Sequence, residues 1–386
     1  MRGLTVLLTN FDLGARAGSQ LYLRDVALGL LKRGHTPVAY SLRLGEVARE
    51  LSAATVPVTD DLERITAPPD VIHGHHNHDL FTALLRFPGV PAVRMCHGWL
   101  EDAPQPFPRV LRYLAVDDTT RDRCVCEWGL PADRVDVLLN FVDLSTFVPR
   151  RSLPARPSRA LVFSNQAQEH LWAVREACQA AGMSVDALGL GAGRSTAHPA
   201  SVLPRYDIVF AKARCALEAM ACGAAVVLCD GAGVGPMVTA TEWPALRRLN
   251  FGIRTLREPV SPEAIAREIG RYDASDAREV TRMVVASAGA DHVIETLVET
   301  YRSVMAEHER NPSDPRDELR AAARYLRRLT PRLQWLDTPD ADRYAMLRFL
   351  YHWATSVPGA RAVTRTRWMQ RQVRKIRDRR WRNSAS

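Results

Sequence analysis

Lys212, Arg214 and Glu218 lie in one short stretch, FAKARCALEAMACGAAVVLCD at residues 210–230, that reads as strand, loop, helix, strand. The loop carries the two cations to the start of a helix, where free N–H groups and partial positive charge gather. A helix start flanked by Lys and Arg suits a phosphate. Glu218, in the second turn, can accept hydrogen bonds from sugar hydroxyls, as the acidic residue of a nucleotide-binding unit does for ribose. One segment could thus hold both ends of a nucleotide-sugar. The glycine-rich run 231–235 that follows is read either as a turn into a helix or as a ligand-contacting loop.

Histidines form the second chemical cluster. His73, His75, His76 and His78 fall within six residues. They straddle a strand end, with Asp79 as the one carboxylate beside them and no cysteine, so no metal site is expected. His97 ends an apolar run of its own and is the preferred catalytic histidine, placed to hydrogen-bond a transferred sugar or its acceptor. No Ser-His-Asp set, no Walker A loop and no zinc-finger spacing is legible, and no cofactor is expected.

These residues need a frame. Residues 4–9, 37–41, 71–73, 92–96, 114–117 and 135–139 read as short apolar strands. The helix between the first two runs up to Lys32-Arg33-Gly34, with Ser19 as its expected N-cap. A Pro- and Arg-rich break at 150–158 precedes a second series, with strands at 161–164, 185–190, 208–210 and 225–229. Helices at 262–272 and about 290–308 are expected to close this second half. Strands alternating with helices imply parallel sheets covered on both faces. The expected fold class is α/β, with two tandem Rossmann-like domains at 1–150 and 151–308. A helical extension follows at 309–386, beginning at the break NPSDP.

The 386 residues are 46 % hydrophobic, enough for a sizeable core. The seven cysteines follow no scaffold spacing and read as reduced thiols. No run approaches a membrane span, and MRGLTVLLTN reads as a strand rather than a leader, so a cytoplasmic location is expected. The net charge of +9 is local: residues 361–382 hold ten Lys or Arg against one acid, Asp378. With Trp368 and Trp381 nearby, this tail suits the anionic inner face of a membrane, or else a helix packed on the body with solvated arginines or a disordered end; nucleic acid is unlikely as a partner because nothing else in the chain supports it.

Several ordered motifs are familiar. Gly18-Ser19-Gln20 leads into an amphipathic helix. Asp70-Val71-Ile72-His73-Gly74-His75, Cys96-His97-Gly98, Asn140-Phe141-Val142-Asp143 and Leu217-Glu218-Ala219-Met220-Ala221-Cys222-Gly223 follow in order. Over roughly residues 1–308 the chain resembles the retaining nucleotide-sugar glycosyltransferases of family 4, which have the two-Rossmann GT-B fold. The resemblance implies a donor site at Gly18, Ser19, Asn165, Lys212, Arg214 and Glu218, with His75 and His76 on the acceptor side. It implies transfer of a hexosyl-type sugar to a glycan or lipid-linked acceptor, as in cell-surface polysaccharide assembly. Two features depart from the pattern. Phe210 stands eight positions before Glu218, where the family has a first glutamate, and the loop 164–170 lacks the family's Arg and Lys. The competing readings are a catalytically weak nucleotide-binding scaffold on the same fold and a nucleotide-sugar epimerase, which would need acid/base carboxylates in the cleft.

Overall fold

A computed structural model describes residues 2–333, apart from 99–101, 151, 194–195 and 197. The basic segment 361–382 and the helices expected beyond 333 lie outside the described residues. The described residues up to 318 form one compact unit.

The first sheet contains β1 (Thr5–Thr9), β2 (Thr36–Tyr40), β3 (Val58–Thr59), β4 (Val71–Gly74), β5 (Ala92–Cys96), β6 (Val110–Ala115) and β7 (Val135–Val137). All pair in parallel, in the order β3-β2-β1-β4-β5-β6-β7. The order reverses between β1 and β4, the place where open α/β sheets bind ligands. β4 and β5 are buried along their whole length, and their runs are mostly apolar rather than alternating, with His73 and Arg94 as the polar exceptions. Helices α1 (Gly18–Lys32), α2 (Glu46–Ala53), α3 (Asn77–Arg86) and the short α4 (Asp118–Asp122) make the crossovers.

The second sheet contains β8 (Arg159–Phe163), β9 (Ser184–Leu188), β10 (Ile208–Ala211), β11 (Ala225–Asp230) and β12 (Gly233–Met237), in the order β12-β11-β10-β8-β9. Helices α5 (Leu171–Ala180), α6 (Ala213–Ala221), α7 (Trp243–Arg248), α8 (Pro262–Ile269) and α9 (Ala274–Ser287) accompany it. The glycine-rich run 231–235 does not open a helix. The chain reverses at Gly231 and Ala232 into β12, which pairs antiparallel with β11. A Cβ at Gly235 would come within 2.6 Å of the Thr255 carbonyl oxygen, so glycine lets β12 lie against residues 255–258.

Two helices remain, α10 (Ala290–Arg310) and α11 (Pro315–Leu333). Contrary to expectation, α10 does not close the second half. Its buried face, Val293, Ile294, Leu297, Val298, Tyr301 and Val304, joins the core of the first sheet with Val6, Leu8, Leu23 and Leu30. The chain therefore crosses between the sheets twice. The outward crossing is sharp: Phe141 belongs to the first core and Val142 to the second. The return runs beside it, with the Ala290 N–H donating to the Val142 carbonyl at 3.1 Å. Both crossings lie outside the Pro/Arg-rich stretch 150–158, where Arg150 is tied to the second sheet through the Tyr206 carbonyl.

Candidate active site

A cleft of 1010 Å³ opens where the C-terminal ends of both sheets face each other. Each wall is built from residues that directly follow strands or begin helices. The first sheet supplies Ser19 from α1, His76 to His78 after β4, His97 and Gly98 after β5, and Asp117 after β6. The second supplies Gln166 and Glu169 after β8, Lys212 and Ala213 after β10, and Asp230 to Ala232 after β11. Strands fix these positions because their ends are pinned by ladder hydrogen bonds, whereas the loops beyond are free to carry chemistry.

On the second wall β10 passes into α6 through one residue, Lys212. Ala213 takes a left-handed backbone, φ 51°, and its N–H donates to the Phe251 carbonyl at 2.8 Å. Such a backbone is costly for a residue with a Cβ. The next N–H groups of α6 have no acceptor within the helix. Lys212 pairs with the buried Asp230, whose other oxygen accepts the Ala232 N–H at 2.8 Å. One cation, one carboxylate and a helix start therefore meet at the cleft edge.

Arg214 and Glu218 do not join them. One turn apart on α6, they bond each other, Nε to Oε1 at 2.7 Å, and Arg214 Nη2 reaches Asp25 of α1 at 2.5 Å. Arg24 and Glu50 extend the network. Burial pushes the Glu218 carboxyl above its ordinary value, against the pull of Arg214. Burial alone would lower Arg214, but Asp25 and Glu218 outweigh it and hold the guanidinium charged. The i, i+4 spacing does place both on one helix face, but that face meets α1 and not the cleft. Phe210 is likewise a core residue: it lies in β10 between Val162 of β8 and Val227 of β11 and is fully buried. Eight positions before Glu218 the chain is still strand, and the side chain there packs into the core of the second sheet.

On the first wall the expected N-cap role of Ser19 is not realised. Ala17 is the cap, without a side-chain bond, and the Ser19 hydroxyl donates to Gln20 Oε1 at 3.1 Å while lining the cleft. Gly18 begins the helix beside it, with open space where a Cβ would stand. Asn165 is exposed, and its carbonyl accepts the Gly191 N–H at 3.0 Å; Gln166 and Glu169 line the cleft instead.

His97 and His76 line the cleft, but His75 does not: it is wholly buried behind His97. Their rings are nearly parallel, with centroids 4.9 Å apart, and His75 Nδ1 lies 2.6 Å from His97 Nε2. His73 stacks on the far side of His75 at 4.8 Å and meets the Tyr301 hydroxyl of α10 at 2.6 Å. Burial lowers all four rings: His73 and His76 to about 3, His75 and His97 well below their ordinary value, with neighbouring rings and Arg94 adding to the effect at His75, His76 and His97. The cluster is therefore neutral at pH 7. Asp117, Glu169, Asp230 and Arg94 are cleft residues that the motifs did not single out. The signal available was position, since Asp117 and Asp230 each stand at the C-terminal end of an apolar strand run. Among the described residues no group of His, Cys, Asp and Glu is arranged to hold a metal ion.

Residues 16–146 match the family model for Glycosyltransferase Family 4. A glycosyltransferase from Rickettsia africae ESF-5 superposes with a TM-score of 0.59 at 14% identity, over 79% of this chain and 99% of that one. Anabaena Alr3699/HepE, solved with UDP and glucose, gives 0.56 at 16% identity, over 78% and 100%. AviGT4, a glycosyltransferase involved in avilamycin A biosynthesis, gives 0.50 at 18% identity, over 78% and 98%. No curated protein matches in sequence. Identities this low speak to fold alone, and the fold agrees with two α/β sheets, the first parallel and the second mostly so, around a cleft. The chain has the two-domain α/β fold of these GT-B glycosyltransferases, and its residues 16–146 match the family 4 glycosyltransferase model.

Proposed function

We propose that the chain is a retaining glycosyltransferase that takes a sugar from a nucleoside-diphosphate sugar and passes it to a hydroxyl of a glycan or lipid-linked acceptor, as in cell-surface polysaccharide assembly. The observation that carries this reading is the cleft itself: the start of α6 with Lys212 on one wall, the start of α1 with Ser19 and His97 on the other. A nucleoside diphosphate gains negative charge as the glycosidic bond breaks. Donors fixed where that charge grows lower the barrier without reorganising. Lys212, steered by Asp230, and the open N–H groups of α6 fill that role. His97 then faces the sugar and acceptor from the first wall, with His76 beside it. The departing phosphate takes the acceptor's proton on the same face, which retains the configuration and requires no protein nucleophile. The Alr3699/HepE complexes with UDP and UDP-glucose support a uridine donor.

A second reading, a nucleotide-binding scaffold without transfer, is favoured by the internal pairing of Arg214 with Glu218 and by the missing first carboxylate. A thermal-shift panel of UDP, GDP, ADP and TDP with their sugar conjugates separates the possibilities, because a ligand of the folded state raises the melting temperature by mass action. One nucleotide family should shift the melt, and its sugar conjugate should be consumed when a hydroxyl acceptor is supplied. A shift without turnover supports the scaffold; no shift at all refutes both readings.

A further inference from the structure

We propose, resting on the reading of the cleft as a nucleotide-sugar site, that Glu169 binds the donor through its sugar hydroxyls. Its carboxylate accepts hydrogen bonds from one of the donor's two sugar rings and so helps to decide which donor is held.

Glu169 ends the short 3-10 turn Ala167–Glu169 that follows β8. Ala167 and His170, on either side of that turn, are fully buried. The Glu169 N–H donates to the Gln166 carbonyl at 3.1 Å, so the root of the side chain is fixed. From that root the side chain lies across Gly231, the residue after Asp230. A Cβ at Gly231 would stand 1.8 Å from Glu169 Oε2, 2.7 Å from its Cβ and 2.8 Å from its Cδ. Gly231 does not take a left-handed backbone, so its conformation does not demand glycine; the close passage of Glu169 does. The carboxylate is thereby laid along the second wall of the cleft, over the turn that carries Asp230.

The other charged groups of that wall are matched. Lys212 pairs with Asp230, and Asp230 also accepts the Ala232 N–H. The Glu169 carboxylate has no hydrogen bond or ion pair among the described residues. A carboxylate offers acceptors, and the oxygens of a diphosphate are acceptors too. Glu169 therefore repels the phosphates rather than holding them. The group that answers it is a hydroxyl. A nucleotide-sugar carries hydroxyls on both sides of its diphosphate, on the ribose and on the transferred sugar. A hydrogen bond from a hydroxyl to a carboxylate is of the strong, charge-assisted kind. A site built around one rejects a ring that lacks that hydroxyl.

The test is calorimetric titration of the full chain, as wild type, E169A and G231A, with UDP-glucose, UDP and inorganic diphosphate. Glu169 is exposed, so E169A should melt like the wild type. It should lose roughly 10- to 100-fold in affinity for UDP-glucose, the scale of a hydrogen bond to a charged group. A loss for UDP-glucose alone assigns the carboxylate to the transferred sugar; an equal loss for UDP assigns it to the ribose. Inorganic diphosphate should bind E169A at least as tightly as the wild type. G231A pushes the Glu169 side chain from its place and should repeat the E169A pattern; wild-type binding in G231A overturns the placement. Unchanged or raised affinity of E169A for both UDP-glucose and UDP overturns the proposal. So does a matching loss for diphosphate, which would make Glu169 part of the phosphate site. A wild-type chain that binds neither nucleotide sinks the reading of the cleft and the proposal with it. Nucleotide binding without turnover sinks the transferase alone and leaves Glu169 to be judged by the E169A titrations.

Discussion

Lys212 and Arg214 are two residues apart, yet the structure gives them different physics. Lys212 is one-third exposed at the cleft, balanced by Asp230. Lys212→Ala should weaken nucleoside-diphosphate binding roughly 10- to 100-fold, the scale of a charged hydrogen bond. Calorimetric titration checks this, and unchanged affinity would remove the second wall from the phosphate site. Arg214 is buried between Asp25 and Glu218. Arg214→Ala would leave two buried carboxylates facing each other, at a cost of about 3–5 kcal/mol. The denaturation midpoint should fall accordingly. Glu218→Gln sharpens the contrast. A ribose-binding carboxylate would lose affinity at unchanged stability, whereas the ion-pair network predicts the reverse, lower stability with affinity largely kept.

At the scale of elements, α10 matters most, because it completes a core built by residues far away in sequence. Leu297 is fully buried among first-sheet side chains. Leu297→Ala should cost about 2–5 kcal/mol, as a large-to-small change in a packed core does, and a chain ended at residue 288 should not hold its first sheet. Chemical denaturation of both checks this; a truncated chain that melts like the full one would mean α10 is dispensable. The sequence made the helix itself legible, because Val293, Leu297, Tyr301 and Val304 recur at helical spacing. It could not reveal the partner sheet, because periodicity defines a face and not what covers it. The same limit applies to α6. The spacing of Arg214 and Glu218 announced one shared face, and only the packing of α1 shows that this face is turned from the cleft. Strands were easier, since a strand buried on both sides is largely apolar. For that reason His97 and Lys212, which stand at strand ends, were found, while Glu169, a polar residue among other polar loop residues, was not.

At the scale of the whole molecule, the neutral histidine cluster links the cleft to acid stability. His73 and His76 are held near 3, and His75 and His97 well below the ordinary value of 6.5, chiefly by burial. In the unfolded chain these rings take up protons as the pH falls through about 6.5. The folded state does not follow, so below that pH the unfolded state binds more protons and stability rises with pH. Each such ring contributes full stability above about pH 6.5 and loses about 1.4 kcal/mol per pH unit below it, until its folded value is reached. Asp79 acts in the opposite sense. Burial raises its carboxyl to about 6 despite the hydrogen bond from Thr9, so the folded state takes up a proton there while the unfolded carboxylate does not. Glu218 and Asp117, also raised by burial, act with Asp79, while His35 and His170, also lowered by burial, act with the four rings, so lowered histidines outnumber raised carboxyls. The unfolding free energy should therefore be level from pH 8 to 7 and fall steeply between 6.5 and 5. Urea titrations across that range measure it directly. His73→Phe should flatten the slope by about one proton, and a wild-type profile without a fall below pH 6.5 would mean that the rings are solvated and the stack behind His97 is not closed.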